Sequence, residues 1–247
     1  MRYLSAQLRR PTKRSGLLGS SVRWGRPITM TLAILVMVAF TAESFAFAPQ
    51  SSPADTCIPA CLCSGTPIII DVGGKGFRLT NAINGVQFDI SGTGNPVQIA
   101  WTAPDSDNAF LGLPGSDGLV HNGKELFGYF TPQPPSDNPN GFRALAVYDE
   151  PQNGGNDDGI IDNRDQIFSS LRLWIDTNHD GICQPEELHT LPSMGVNSIS
   201  LDYFLSGRRD QWGNLFRYGS RVNPDEDHSQ VGPITYDVVL VEAVRGH

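Results

Sequence analysis

The chain has 247 residues, with 18 Lys and Arg against 26 Asp and Glu, for a formal charge of −8. Without residues 1–46, 11 basic and 25 acidic residues remain, a charge of −14. Such a surface repels nucleic acid and anionic lipid, and no basic stripe offsets it, so a nucleic-acid partner is not expected.

The first 29 residues hold Arg2, Arg9, Arg10, Lys13, Arg14, Arg23 and Arg26 and no acid, and an apolar run follows over 28–40. With the small residues at 44–46 this reads as a signal peptide cut after Ala46. Its apolar run is short of the roughly 20 residues that span a bilayer. The mature form is therefore expected to be secreted or periplasmic, with no membrane span; a retained anchor is the alternative. Residues 47–66 form a Cys/Pro/Ser-rich linker with Cys57, Cys61 and Cys63. With Cys183 they allow three disulfide pairings, and sequence does not choose. The absence of a nearby histidine argues against zinc. The remainder, 67–247, is long enough for one domain with its own core.

Strands are expected over 67–72, 77–79, 86–90 and 97–101, from β-branched runs and alternating patterns bounded by glycine-rich turns. Three of those turns resemble metal loops without completing one. Asp71 is followed by Gly73 and Lys75, where oxygens would be needed. Asp89 is followed by the neutral hydroxyls of Ser91 and Thr93, and the turn at 113–118 begins on Leu113. A helical turn is expected near 141–148.

The stretch 176–187 sets oxygen-bearing side chains at loop positions 1, 3, 5 and 12, with glycine at 6. That is the layout of an EF-hand calcium loop. Asp176, Asn178 and Asp180 point inward on alternate residues. The Ile182 carbonyl adds an oxygen, Gln184 binds directly or through water, and Glu187 closes the far side with two more. A second copy lies upstream at 149–165, because Asn156, Asp158, Gly159 and Ile160 match Asn178, Asp180, Gly181 and Ile182 at a constant offset. Position 1 falls on Gly154, so the first ligand is assigned to Asp149, with residues 150–155 bulging out. Asn156, Asp158, the Ile160 carbonyl, Asp162 and Asp165 complete the set. Ca²⁺ is the cofactor expected at both loops.

Between the loops, Ile167, Phe168, Leu171, Trp174 and Ile175 fall at helical spacing after Asn163, a candidate N-cap. A helix is expected over 163–175, serving as exit from one loop and entry to the other; helical character is also expected over 185–190. Strands are expected over 196–204, 215–222 and 235–244, with a turn at 211–214. The fold class is thus α+β, mainly antiparallel β, with a short helix flanked by two EF-hand-like calcium loops. Met194 is the only methionine beyond residue 37, so a methionine-lined calcium switch is not expected.

The blocks Ile69-Ile70-Asp71, Gly123-x-Glu125-Leu126-Phe127-Gly128, Asn140-Gly141-Phe142, Leu171-Arg172-Leu173-Trp174-Ile175-Asp176 and Glu187-Leu188 carry a family likeness over roughly 67–205. The chain resembles bacterial exported EF-hand-like calcium-binding proteins and the calcium-rich segments of RTX-type secreted proteins. The resemblance implies calcium at Asp176, Asn178, Asp180 and Glu187, and at Asn156, Asp158 and Asp165. It also implies that the turns at Asp71, Asp89 and Leu113 descend from calcium loops. It implies no settled enzymatic activity.

The function expected is that of an exported calcium-binding protein whose ions stabilise the fold, with a protein or cell-surface partner left open. A secreted hydrolase and a calcium-dependent adhesion or docking module are the alternatives. Catalysis is weakly supported. The histidines make no His-Glu-x-x-His set, Ser116 lacks the spacing of a nucleophile elbow, and Asp105 with Asp107 reads as a solvated loop.

Overall fold

The computed structural model describes residues 65–226 and 230–243. The expected leader, the cleavage site at Ala46, and Cys57, Cys61 and Cys63 lie outside the described residues. Every described residue belongs to the compact unit Ser51–His247.

Among the described residues, eleven strands and one α-helix follow in chain order. They are β1 (Ile68–Asp71), β2 (Val86–Phe88), β3 (Val97–Ile99), β4 (Asn108–Gly112), α1 (Gly141–Ala146), β5 (Ile160–Asp162), β6 (Arg172–Trp174), β7 (Leu188–Thr190), β8 (Ser198–Ser200), β9 (Phe204–Arg209), β10 (Leu215–Arg221) and β11 (Ile234–Val239). Seven make one sheet in the order β7-β6-β4-β1-β11-β10-β9, and β2-β3 and β5-β8 form two small ribbons. Every pairing is antiparallel. Among the described residues no helix is long and apolar enough to cross a membrane.

The apolar run at 68–70 is continuous because β1 is covered on both faces. Ile68 and Ile70 enter one buried cluster with Phe142, Leu145, Ile161 and Leu173, while Ile69 enters another with Trp101, Phe110, Trp174 and Phe216. Helix α1 covers the first face. Asn140 caps it, its side chain accepting from the Arg143 N–H at 3.0 Å.

The helix expected over 163–175, with a calcium loop at each end, is not formed. Gln166–Ser169 makes one 3-10 turn, and Arg172–Trp174 is strand β6, paired with β4 and β7. The reason lies in the two cores. Phe168, Leu171 and Leu173 pack into the first cluster and Trp174 into the second. A single helical stripe faces one way only, whereas neighbouring strand residues reach opposite faces of a sheet. Segment 185–190 likewise divides into a 3-10 turn, Pro185–Glu187, and β7. The fold is therefore antiparallel β with one short helix that flanks neither loop in the manner expected.

Several other expectations differ only in extent. Strands form at 68–71, 86–88 and 97–99, but 77–79 supplies only an isolated bridge, Leu79 to Thr102. The long strand at 196–204 breaks into β8 and the start of β9. Strand β4 was not anticipated, although it is buried along its whole length between β1 and β6.

Candidate metal centre

The second loop is the connection between β6 and β7, so Asp176 and Glu187, its first and last residues, sit at the mouth of a hairpin. Asp176 Oδ1 accepts from the Asp180 N–H at 3.1 Å, and Oδ2 from the Gly181 N–H at 2.9 Å. Asn178 Oδ1 also accepts from the Asp180 N–H, and Asp180 Oδ1 from the Ile182 N–H at 2.8 Å. Glu187 reaches back across the loop: Oε1 accepts from the N–H groups of Thr177 and Asn178, and Oε2 from that of Gln184. Gln184 Nε2 donates to Asp180 Oδ2 at 3.0 Å, leaving Gln184 Oε1 buried without a partner. Asp176, Asn178, Asp180, Gln184 and Glu187 are thus brought together, and Ile182 follows the turn at Gly181.

Two tryptophans hold the closing carboxylates. Trp101 Nε1 donates to Asp176 Oδ2 at 2.8 Å, and Trp174 Nε1 to Glu187 Oε2 at 3.1 Å. Asp176 and Glu187 are each 4 % exposed. Burial pushes the Asp176 carboxyl above its ordinary range and the nearby Glu187 charge pushes the same way; the N–H donors of Gly181 and Asp180 and the Trp101 indole oppose them.

In the first loop the Asp149 carboxylate meets the two N–H groups equivalent to those that Asp176 meets in the second. Its carboxylate accepts from the N–H groups of Asp158 and Gly159 at 3.3 and 2.9 Å, across the bulge of 150–155. Asn156 Nδ2 donates to Asp158 Oδ2, and Asp158 Oδ1 accepts from the Ile160 N–H. Asp165 Oδ2 accepts from the Asp162 N–H at 2.8 Å, while Asp165 Oδ1 is buried without a partner. Burial raises Asp165 above the usual carboxylate range, and the charges of Asp149, Asp162 and Asp158 add to it. Asp162 is held below that range by the Arg164 guanidinium.

The same cradle occurs at two of the turns that sequence reads as incomplete. Asp71 accepts from the N–H groups of Lys75 and Gly76, and Asp89 from those of Thr93 and Gly94. In all four loops the sixth position is a glycine in the left-handed region: Gly76, Gly94, Gly159 and Gly181. The fourth position is left-handed as well, at Gly74, Gly92, Asp157 and His179. At Asp71 and Asp89, however, the twelfth position falls on Ala82 and Ala100, which offer no side-chain oxygen.

As the side chains stand, no group of three or more His, Cys, Asp or Glu among the described residues is gathered tightly enough to be a metal cluster. The carboxylates are spent on backbone N–H groups instead. The donor set is nevertheless hard oxygen throughout, which suits calcium rather than a soft metal. The partnerless oxygens of Asp165 and Gln184, and the mutual repulsion of buried carboxylates, are features that a bound cation would satisfy. Cys183, inside the second loop, is buried and has no disulfide partner among the described residues, and burial raises its thiol to about 11.

Trp101 and Arg164 are not singled out from sequence, and Trp174 is read there only as part of an apolar stripe and a family block. Trp101 carries no local signal, since it lies 75 residues from Asp176. Arg164 was legible in principle, as a basic residue within an acidic loop.

A family model described as the SPM domain matches residues 68–237. The chain is 33 % identical over 172 residues to the iron-regulated protein FrpA of Neisseria meningitidis serogroup C. That alignment covers 68 % of this chain and 15 % of the relative, so the chain spans a small part of that protein's length.

Proposed function

We propose, for a chain that belongs to the SPM-domain family, that it is an exported protein whose fold is held by calcium at the second loop and, more weakly, at the first. One observation carries this reading. Asp176 and Glu187 are almost fully buried carboxylates facing one loop, and neither forms an ion pair with Lys or Arg among the described residues. Buried charge is ordinarily paired or bound to metal. Asp176, Asn178, Asp180, Gln184, Glu187 and the Ile182 carbonyl would hold the ion, which would neutralise the loop and tie β6 to β7. Asp149, Asn156, Asp158, Asp162, Asp165 and the Ile160 carbonyl are the corresponding set of the first loop. Export rests on the composition of the leader.

An ion bound only by the native state stabilises it by RT ln(1 + [L]/Kd). The metal-free chain is therefore expected to melt several degrees higher in millimolar calcium than in excess chelator. Identical melting in the two conditions would refute the reading.

A calcium-dependent docking module is the second reading. Ile182 is 64 % exposed within the loop, and His179 Nε2 lies 2.9 Å from Asn84 O, tying the loop to the turn that bears Ile83, itself 82 % exposed. Retention of a surface partner on the immobilised chain in calcium, lost in chelator, would favour it.

A further inference from the structure

A basic side chain lies beside three of the four aspartate cradles, and in the first loop alone it contacts carboxylates of the loop itself. At the Asp71 turn, Lys75 Nζ lies 2.5 Å from Asp107 Oδ2. The Asp107 carboxylate fills the space that a side chain at Gly73 would enter. At the Asp89 turn, Lys124 Nζ donates to Gly92 O at 2.9 Å. In the first loop, Arg164 NH2 lies 2.6 Å from Asp158 Oδ2 and 2.6 Å from Asp162 Oδ2, and its Nε is 3.0 Å from each Asp162 oxygen. The second loop has no such occupant: no Lys or Arg among the described residues pairs with Asp176, Asp180 or Glu187.

Given the calcium reading above, on which this inference rests, we propose that Arg164 is a tethered cation that competes with calcium for the first loop. That loop then takes its ion only as the guanidinium leaves, and fills at higher calcium than the second loop. Arg164 follows from its place in the chain: it is the eleventh residue of the loop, and it grips the residues at the fifth and ninth positions, both assigned as ligands. The grip is partial. Arg164 covers the outer carboxylates of Asp158 and Asp162, whereas Asp165, 3 % exposed, keeps one oxygen with no partner at all. A monovalent fork on the rim thus leaves the innermost carboxylate unanswered, and a divalent ion held by Asp149, Asp158 and Asp165 would answer it. The Arg164 side chain is 55 % exposed, so it can turn into solvent at small cost, as exposed ion pairs generally can. A cleft of about 360 Å³ lined by Gly154, Arg164, Asp165, Gln166 and Phe168 opens beside it.

Calorimetric titration of the metal-free chain with calcium chloride tests the inference. The wild type is expected to show two steps, the tighter abolished in Asp176→Ala and the weaker in Asp149→Ala. Arg164→Gln should leave the tighter step unchanged and strengthen the weaker about tenfold, a change of about 1.4 kcal/mol. Arg164→Lys keeps the charge but loses the two-pronged grip, so its weaker step should fall between wild type and Arg164→Gln. That variant also supplies the answer should Arg164→Gln fail to fold. A weaker step unchanged or further weakened in these variants would overturn the role of Arg164, as would its absence from wild type and variants alike beside a normal tight step. Absence of both steps would instead refute calcium binding itself.

Discussion

The indole N–H of Trp101 donates to Asp176 Oδ2 at 2.8 Å, joining a residue just past β3 to the first residue of a loop 75 positions later. The bond fixes one oxygen of Asp176 and places a fluorophore against the candidate ion site. Tryptophan emission should therefore change saturably as calcium is added to the metal-free chain. Trp101→Phe keeps the ring packing but removes one of the two donors to a buried carboxylate oxygen, leaving the Gly181 N–H. It should cost about 1.5–3 kcal/mol in urea unfolding, the range for hydrogen bonds to charged groups, and shrink the emission change. Emission indifferent to calcium would leave the loop without its ion.

Glu187 does for the end of the loop what Asp176 does for its start. Its carboxylate receives the N–H groups of Thr177, Asn178 and Gln184 and the Trp174 indole, and only 4 % of the residue is exposed. Glu187→Ala strands all four donors and should destabilise the chain by roughly 3 kcal/mol or more. Glu187→Gln retains shape and one accepting oxygen, which serves two of the four donors, and halves the charge of the closing pair. In chelator it should be less destabilised than Glu187→Ala, yet gain much less than wild type from added calcium, measured as the difference in melting midpoint between the two conditions.

The glycines at the sixth loop positions are not equivalent. Gly159 has φ +79° with open space where a Cβ would stand, whereas a Cβ on Gly181, at φ +72°, would lie 2.8 Å from Val86 Cγ2. Gly159→Ala should cost the left-handed penalty alone, about 1–2 kcal/mol. Gly181→Ala must in addition displace β2 and should cost clearly more. Thermal melts of the two variants, run side by side in chelator, compare them; equal losses would show that β2 yields freely.

The loops were legible because their chemistry is local. The spacing of Asp176, Asn178, Asp180, Gly181 and Glu187 lies within twelve consecutive residues, whereas counting along the upstream copy leads to Gly154, and Asp149 was the nearest carboxylate before it that the bulge could bring back. What was not legible depends on distant partners. Ile167, Phe168, Leu171 and Trp174 satisfy helical spacing, yet the segment serves two cores on opposite faces of a sheet, and the choice was made by β4 and β7 rather than by the segment. The alternation of Leu171-Arg172-Leu173 held the competing signal. The turns at Asp71 and Asp89 were read by their missing ligands, correctly as regards oxygen count, but their backbone follows the same left-handed pattern as the complete loops. Geometry set by one aspartate and two glycine-favouring positions thus persists where the outer ligands are absent.

Away from the loops, Asp237 on β11 is fully buried between β1 and β10. Burial raises its carboxyl to about 6; Thr66, the Gly141 N–H and the charge of Arg217 oppose the shift without cancelling it. Its Oδ1 accepts from Gly141 N at 3.2 Å, at the start of α1. In the unfolded chain the same group titrates near 3.9. Between these values the native state binds more protons than the unfolded state, so stability falls as pH rises through the window from about 4 to about 6. Below it the group is neutral in both states and contributes nothing; above it the buried charge costs up to roughly 3 kcal/mol. Asp237→Asn keeps an acceptor for Gly141 and carries no charge. In chelator it should be more stable than wild type at pH 7.5, and the difference should shrink toward pH 4. Urea unfolding of both proteins at half-unit intervals measures it. A difference that does not vary with pH would mean that Asp237 does not titrate in that window.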